Sequence, residues 1–203
     1  YGSGKTNLAV NWAMNMAKSG KNVEIADLDI VNPYFRTKDS QKELEAAGVK
    51  VIALPFANSS VDLPSIPSEA YALVEDKSRY GVLDIGGDER GAYALGRFSP
   101  YIREEGNYDM FYVVNFHRPL TRNAEDAYNC MKEIEVASGL VFTGILNNSN
   151  LGAETTVETI TETYGDAEKL SRLSGIPIVA VTAEKSIATS DMVPLNLQKR
   201  IFD

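Results

Sequence analysis

The stretch that decides the fold is Tyr1-Gly2-Ser3-Gly4-Lys5-Thr6-Asn7, followed by the helical pattern LAVNWAMNMAKSG. Gly4-Lys5-Thr6 fits the close of a phosphate-binding loop of the pattern G-x-x-x-x-G-K-[ST]. The pattern's first glycine would fall at position −1, ahead of Tyr1. The glycines let backbone N–H groups approach phosphate oxygens. A helix starting near Lys5 would aim its positive end at the anion. In this reading Lys5 reaches the β- and γ-phosphates, Thr6 Oγ1 ligates Mg²⁺, and Gly2, Ser3, Gly4 and Asn7 complete the nucleotide cradle.

The surrounding pattern is consistent with such a loop. Six short apolar runs alternate with helical segments: Val23–Asp27, Val49–Leu54, Gly81–Gly86, Met110–Phe116, Leu140–Asn148 and Ile176–Thr182. They are nearly continuous in apolar residues, as strands buried on both faces of a parallel sheet are. Helices are expected over 6–19, 38–47, 68–76, 89–105 (broken before Pro100), 121–138 and 154–174. In the first of these Leu8, Trp12 and Met16 share a face. Alternation of this kind predicts an α/β domain of three layers, a mostly parallel sheet flanked by helices, with one domain over 1–203. The strand that should feed the phosphate loop lies ahead of Tyr1. The segment PFANSSVDLPSIP (55–67) has three prolines and reads as a surface excursion.

Two acidic strand ends supply the rest of a phosphoryl site. In VEIADLDIVNPYFR, Asp27 and Asp29 close a strand and alternation puts both carboxylates on one side. Repulsion between them is relieved by a cation or a proton. In RYGVLDIGGDERG, Asp84 ends a buried strand, fits a water-mediated Mg²⁺ ligand, and is followed by Gly86-Gly87. Gly87 is placed to offer its N–H to a γ-phosphate, and Asp88 fits a helix N-cap.

The order GSGKT, DLD, LDIGG resembles the MinD/ParA/nitrogenase-iron-protein group of P-loop ATPases, which includes the related cobyrinate-amidase type. The resemblance spans most of the chain and implies the P-loop NTPase fold, ATP/ADP and Mg²⁺ as cofactors, and slow ATP hydrolysis serving as a switch. It implies catalytic roles for Lys5, for Asp29 as the residue positioning the attacking water, and for Asp27 beside phosphate and metal. It implies that Asn148 in GILNNSN reads adenine; the guanine-reading N-K-x-D pattern is absent. An unidentified protein client and a homodimer follow from the same resemblance. The lysine that crosses such dimers would fall one residue ahead of Tyr1. An alternative within the group is an ATP-dependent ligase or kinase acting on a small molecule. A third reading is a sensor that binds ATP without hydrolysing it.

Composition narrows the partners. The 203 residues carry a formal charge of −8, which disfavours broad binding to nucleic acid or to anionic membrane. No apolar run is long enough to span a membrane, and cytoplasm is the expected location. The single cysteine, Cys130, lies in a helical pattern and is expected to bind no cluster. In the loop NFHRPLTRN, His117 fits either a loop position or a catalytic or ligand role, and Arg118 and Arg122 fit either solvated positions or contacts with phosphate or an acidic partner. Arg36, in the first presumed switch, is open to the same two readings.

Overall fold

The apolar run ending in Asp27 forms strand β1 (Val23–Leu28), buried along nearly its whole length. In this computed structural model, which describes residues 2–28, 40–52 and 68–198, β1 is central to a three-stranded parallel sheet. Its neighbours are β2 (Val49–Ile52) and β3 (Tyr80–Ile85), in the order β2-β1-β3. Register runs from Val23 opposite Val49 and Tyr80 to Asp27 opposite Asp84. A second parallel sheet, β4-β5-β6-β7, is formed by Phe111–Val114, Gly144–Asn147, Ile178–Glu184 and Val193–Leu195. Each sheet belongs to its own compact unit: Lys5–Asn107 with Gln198–Asp203 for the first, Tyr1–Gly4 with Tyr108–Leu197 for the second.

Helix α1 (Lys5–Lys18) packs on β1 and β3. Val10 and Ala13 meet Val23, Ile25, Leu44 and Val49 in one apolar cluster. The buried face is Leu8, Val10 and Ala13, while Trp12, expected on it, is only half buried. Helices α2 (Gln41–Ala46), α3 (Ser68–Glu75), α4 (Glu89–Gly96) and α5 (Ser99–Glu105) complete this unit. The break expected before Pro100 falls at Arg97-Phe98, where Pro100 takes a first-turn position of α5. In the other unit, α6 (Ala124–Ser138) and α8 (Tyr164–Ser174) pack the sheet through Ala127, Met131 and Leu170 against Tyr112, Val114 and Ile145, while α7 (Val157–Thr161) sets Ile160 against Ala183 and Met192. The helix expected over 154–174 is thus two helices with a short 3₁₀ turn (Gly152–Glu154) ahead of them.

The strand differences have local causes. β5 is shorter than its apolar run because Leu140–Phe142 lie ahead of the ladder, with Leu140 and Phe142 buried and Val141 exposed, and β4 keeps only Phe111–Val114 of its run. β7 escapes a sequence reading because Pro194 lacks the N–H a central strand needs. β7 pairs with β6 alone, the edge position that tolerates proline. The excursion 55–67, Asp29, Arg36 and the ends of the runs at Ala53-Leu54 lie outside the described residues.

At the opening of the first sheet one acid is fully buried. Glu24 is 1% exposed and its Oε1 is held by Lys50 Nζ at 2.8 Å and by Arg79 Nη1. Arg79 also holds Asp76 at 2.7 Å. Glu24 Oε2 and Arg79 Nε are buried without a hydrogen-bond partner among the described residues, so removing the guanidinium leaves a poorly compensated charge. Arg79→Ala is expected to lower unfolding free energy by about 3 kcal/mol in urea titration. Lys50→Ala, whose side chain is 62% exposed, should cost less than about 1 kcal/mol.

Candidate functional site

The loop Gly2-Ser3-Gly4 has two left-handed residues, Gly2 at φ 70° and Gly4 at φ 83°. Glycine enters this region without the steric cost that other residues meet, which suits both positions to the turn. Two of the loop's carbonyls are taken by side chains of the same unit. Arg118 Nε donates to Gly2 O at 3.0 Å. Asn148 Nδ2 donates to Ser3 O at 2.7 Å, while its Oδ1 accepts from Thr182 Oγ1 at 2.7 Å. A Cβ on Gly4 would land on Asn148 Nδ2, so the glycine is required twice, for its dihedral and for this approach. Asn148, expected to read a base, is 6% exposed and already fastens loop to strand.

Asn148 is one member of a polar network at the carboxyl ends of β4, β5 and β6. Asn115, 0% exposed at the end of β4, accepts from His117 N and Asn150 N and donates to Asn150 O at 2.9 Å. Asn147 donates to Thr163 Oγ1 at 2.9 Å and accepts from Ser149 Oγ at 2.6 Å. Ser149 Oγ in turn accepts from Phe116 N at 3.0 Å. Each buried polar atom answers another, as the interior requires. The sequence reading missed Asn115, Ser149, Thr163 and Thr182. The available signal was an asparagine, Asn115, next to last in the β4 run, as Asn147 is in the β5 run.

The other unit carries the acids. Thr6, 6% exposed, and Lys5 open α1, whose first turn has no acidic residue to compete with an anion. Asn7 Oδ1 accepts from Gln198 N at 3.1 Å, so this side chain anchors the chain returning from β7. Asp27 and Asp84 are register partners on β1 and β3, which puts their carboxylates on the same face of the sheet one strand spacing apart. Asp84 is 1% exposed. Gly87 follows β3 in a bend, and Asp88 caps α4 by accepting from Gly91 N at 2.9 Å. Gly91 lies directly on Gly86, since a Cβ there would come within 2.6 Å of Gly86 Cα.

Such a donor set suits Mg²⁺, which keeps several waters and takes only one or two carboxylates beside phosphate oxygens. Among the described residues no group of three His, Cys, Asp or Glu forms an all-protein cage. The remaining residues fall to structural places. His117 Nε2 donates to Thr159 O at 2.8 Å. Cys130 Sγ donates to Leu120 O at 3.4 Å, and burial, then the charge of Glu133, holds its thiol above the usual range. A groove of about 590 Å³ opens at the carboxyl ends of β6 and β7, lined by Glu184, Lys185, Ser186, Leu195, Asn196 and Leu197.

No family model and no curated protein matches the sequence. Solved structures do. The cell division protein FtsY from Thermotoga maritima superposes with TM-score 0.61 at 19% identity over 97% of this chain. FtsY from Mycoplasma mycoides gives 0.58 at 16% over 91%. The 54 kDa signal recognition particle protein from Aeropyrum pernix, in complex with GDP, gives 0.56 at 17% over 89%. This chain spans 62%, 57% and 39% of those three chains. The fold is that of the P-loop NTPases. Among the described residues no helix is long and apolar enough to cross a membrane.

Asn148→Asp keeps the acceptor for Thr182 but sets a carboxylate oxygen against Ser3 O. Unfolding free energy of the nucleotide-free chain is expected to fall by about 2 kcal/mol. A residue serving base recognition alone would leave that nucleotide-free value unchanged.

Proposed function

We propose that this chain binds a purine nucleoside triphosphate with Mg²⁺ and hydrolyses it slowly, as a nucleotide-dependent switch, with ATP as the nucleotide. The observation that carries the reading is the register pairing of Asp27 with Asp84, in a chain whose opening loop already has the left-handed glycines of an anion cradle. Two like charges held side by side, one of them 1% exposed, favour a cation between them and the phosphates.

The roles follow from chemistry. N–H groups of Gly2 to Thr6 bind phosphate oxygens, and the uncompensated first turn of α1 adds its dipole. Lys5 supplies a point charge to the tail. Thr6 Oγ1 and Asp84 hold the ion, which when bound would neutralise charge on the transferring phosphoryl group. Asp27 orients within that set. Asp29 positions the attacking water, and Gly87 offers its N–H to the phosphoryl oxygens. Gly86-Gly87, followed by Asp88 as the N-cap of α4 and with Gly91 packed on Gly86, joins the strand carrying Asp84 to α4, so departure of a γ-phosphate would be felt in α4. Adenine is favoured because Asn147-Asn148-Ser149-Asn150 lacks the guanine-reading lysine and aspartate. The Aeropyrum pernix protein was complexed with GDP, so the base is to be tested rather than inherited. The motif order supports a place in the MinD/ParA/nitrogenase-iron-protein group, and with it a protein client and a homodimer.

The test is affinity for labelled ATP and GTP with and without Mg²⁺, followed by phosphate release. ATP should bind more tightly than GTP, and Lys5→Ala should weaken ATP by about 100-fold or more, as loss of a charge-assisted contact would. Unchanged affinity in Lys5→Ala would defeat the reading. Asp29→Ala should bind ATP within about threefold of wild type and release no phosphate, having lost only the water-positioning group. Asp84→Asn should abolish the Mg²⁺ dependence of binding.

A further inference from the structure

The carbonyl side of the phosphate loop gives Arg118 a part in the site. Its backbone is fixed first. Arg118 N donates to Asn115 O at 3.1 Å, Thr121 Oγ1 donates to the same carbonyl at 2.7 Å, and Pro119 follows in a 3₁₀ turn. Asn115 itself is locked to Asn150. From this anchor the side chain runs to the loop. Besides the 3.0 Å bond from Nε to Gly2 O, Cζ and Nε lie 3.3 Å, and Nη2 3.6 Å, from where a Cβ on Gly2 would sit. The guanidinium therefore lies over the glycine, and a side chain at Gly2 would press against it and require it to shift by a few tenths of an ångström.

We propose that Arg118 is a positioning residue for nucleotide binding, a clamp on the outer face of the loop that keeps its N–H groups turned inward before any phosphate arrives. The proposal rests on the nucleotide-binding reading above. Two consecutive carbonyls are held from outside: Ser3 O by buried Asn148, Gly2 O by exposed Arg118. A peptide plane whose carbonyl is held cannot rotate, and its N–H stays aimed at the opposite side. Without the clamp, Gly2 samples its other dihedral wells freely. Binding then selects the shaped fraction, and apparent affinity falls by that fraction. The planar guanidinium fits this place better than an ammonium, because its fork is rigid and its charge stays beside the cradle while Nε is engaged. Arg118 acts through the loop and is not asked to touch the phosphoryl group.

The experiment compares wild type, Arg118→Ala and Arg118→Lys by amide hydrogen exchange over residues 2–6 without nucleotide, by ATP affinity, and by single-turnover phosphate release at saturating ATP. Because Arg118 is exposed, both variants should unfold at the wild-type midpoint, which serves as the folding control. In Arg118→Ala, exchange of the loop should quicken by about tenfold as local opening rises. Affinity should weaken by about three- to tenfold, and the saturated rate should stay within about twofold, the split expected of a lost ground-state contact. Arg118→Lys should recover part of both effects. Unchanged exchange in Arg118→Ala would overturn the clamp even if affinity fell, because the residue would then be touching the ligand. Quickened exchange with unchanged affinity would overturn the positioning role. Should wild type bind neither ATP nor GTP, the functional reading and the positioning role would fall together, and the exchange result would still report on the contact itself.

Discussion

One carboxamide fixes the relation between the phosphate loop and the sheet behind it. Asn148 gives its N–H to Ser3 O and takes a hydroxyl from Thr182, joining the chain's opening residues to the ends of β5 and β6. Its own N–H is bonded to Val114 O at 2.9 Å, so the asparagine cannot shift without disturbing β4 as well. A buried amide left with either end unanswered costs about 1–3 kcal/mol, and that penalty enforces the arrangement. Gly4 is small because this carboxamide stands where its side chain would be. The left-handed Gly4 and the bond from Arg118 to Gly2 O lie on either side of the Ser3 carbonyl that it holds.

The acidic half obeys a different logic. Asp27 and Asp84 are brought abreast by strand register alone, a consequence of parallel pairing between two strands that each carry an aspartate one residue before the last. A one-residue slip would set either carboxylate on the other face. Register is secured at the opposite end of the strands by Glu24, which Lys50 on β2 and Arg79 just before β3 both grip. The buried charge at the base of the sheet thus helps place the carboxylates at its top. Apolar replacement of a whole buried pair is often neutral or stabilising, but here it would remove the ties that Glu24 makes to β2 and to the residue before β3.

Most of the layout was legible because it depends on local signals. Continuous apolar runs marked β1, β3 and β6. The spacing of Leu8, Trp12 and Met16 marked α1, and Asp88 was readable as the cap of α4. What escaped depends on contacts distant in sequence. The helix over 154–174 breaks at Thr163 because that hydroxyl accepts from Asn147 and donates to Ile160 O at 2.7 Å, a bond no helical periodicity encodes. β7 was hidden by Pro194, whose edge position is known only once β6 is in place. Asn148 was visible as a candidate but its use was not, since its partners Ser3 and Thr182 stand far from it in the chain. Asn115 drew no notice, being an unremarkable polar residue until Asn150 is folded against it.

The choice of side chains in that network has a further consequence. Asn115, Asn147, Asn148, Asn150, Ser149, Thr163 and Thr182 fasten the ends of three strands, and none carries a group that titrates between the acid and alkaline limits of the cell. Charged residues placed there would have fixed the loops with larger single interactions, but each would have been expensive to bury and responsive to pH. They would also have set a permanent field beside an anion cradle, favouring or opposing the ligand whether or not its metal was present. Neutral amides and hydroxyls hold the strand ends without adding charge there, and Arg118, the charged side chain bonded to Gly2 O, stands exposed rather than buried among them.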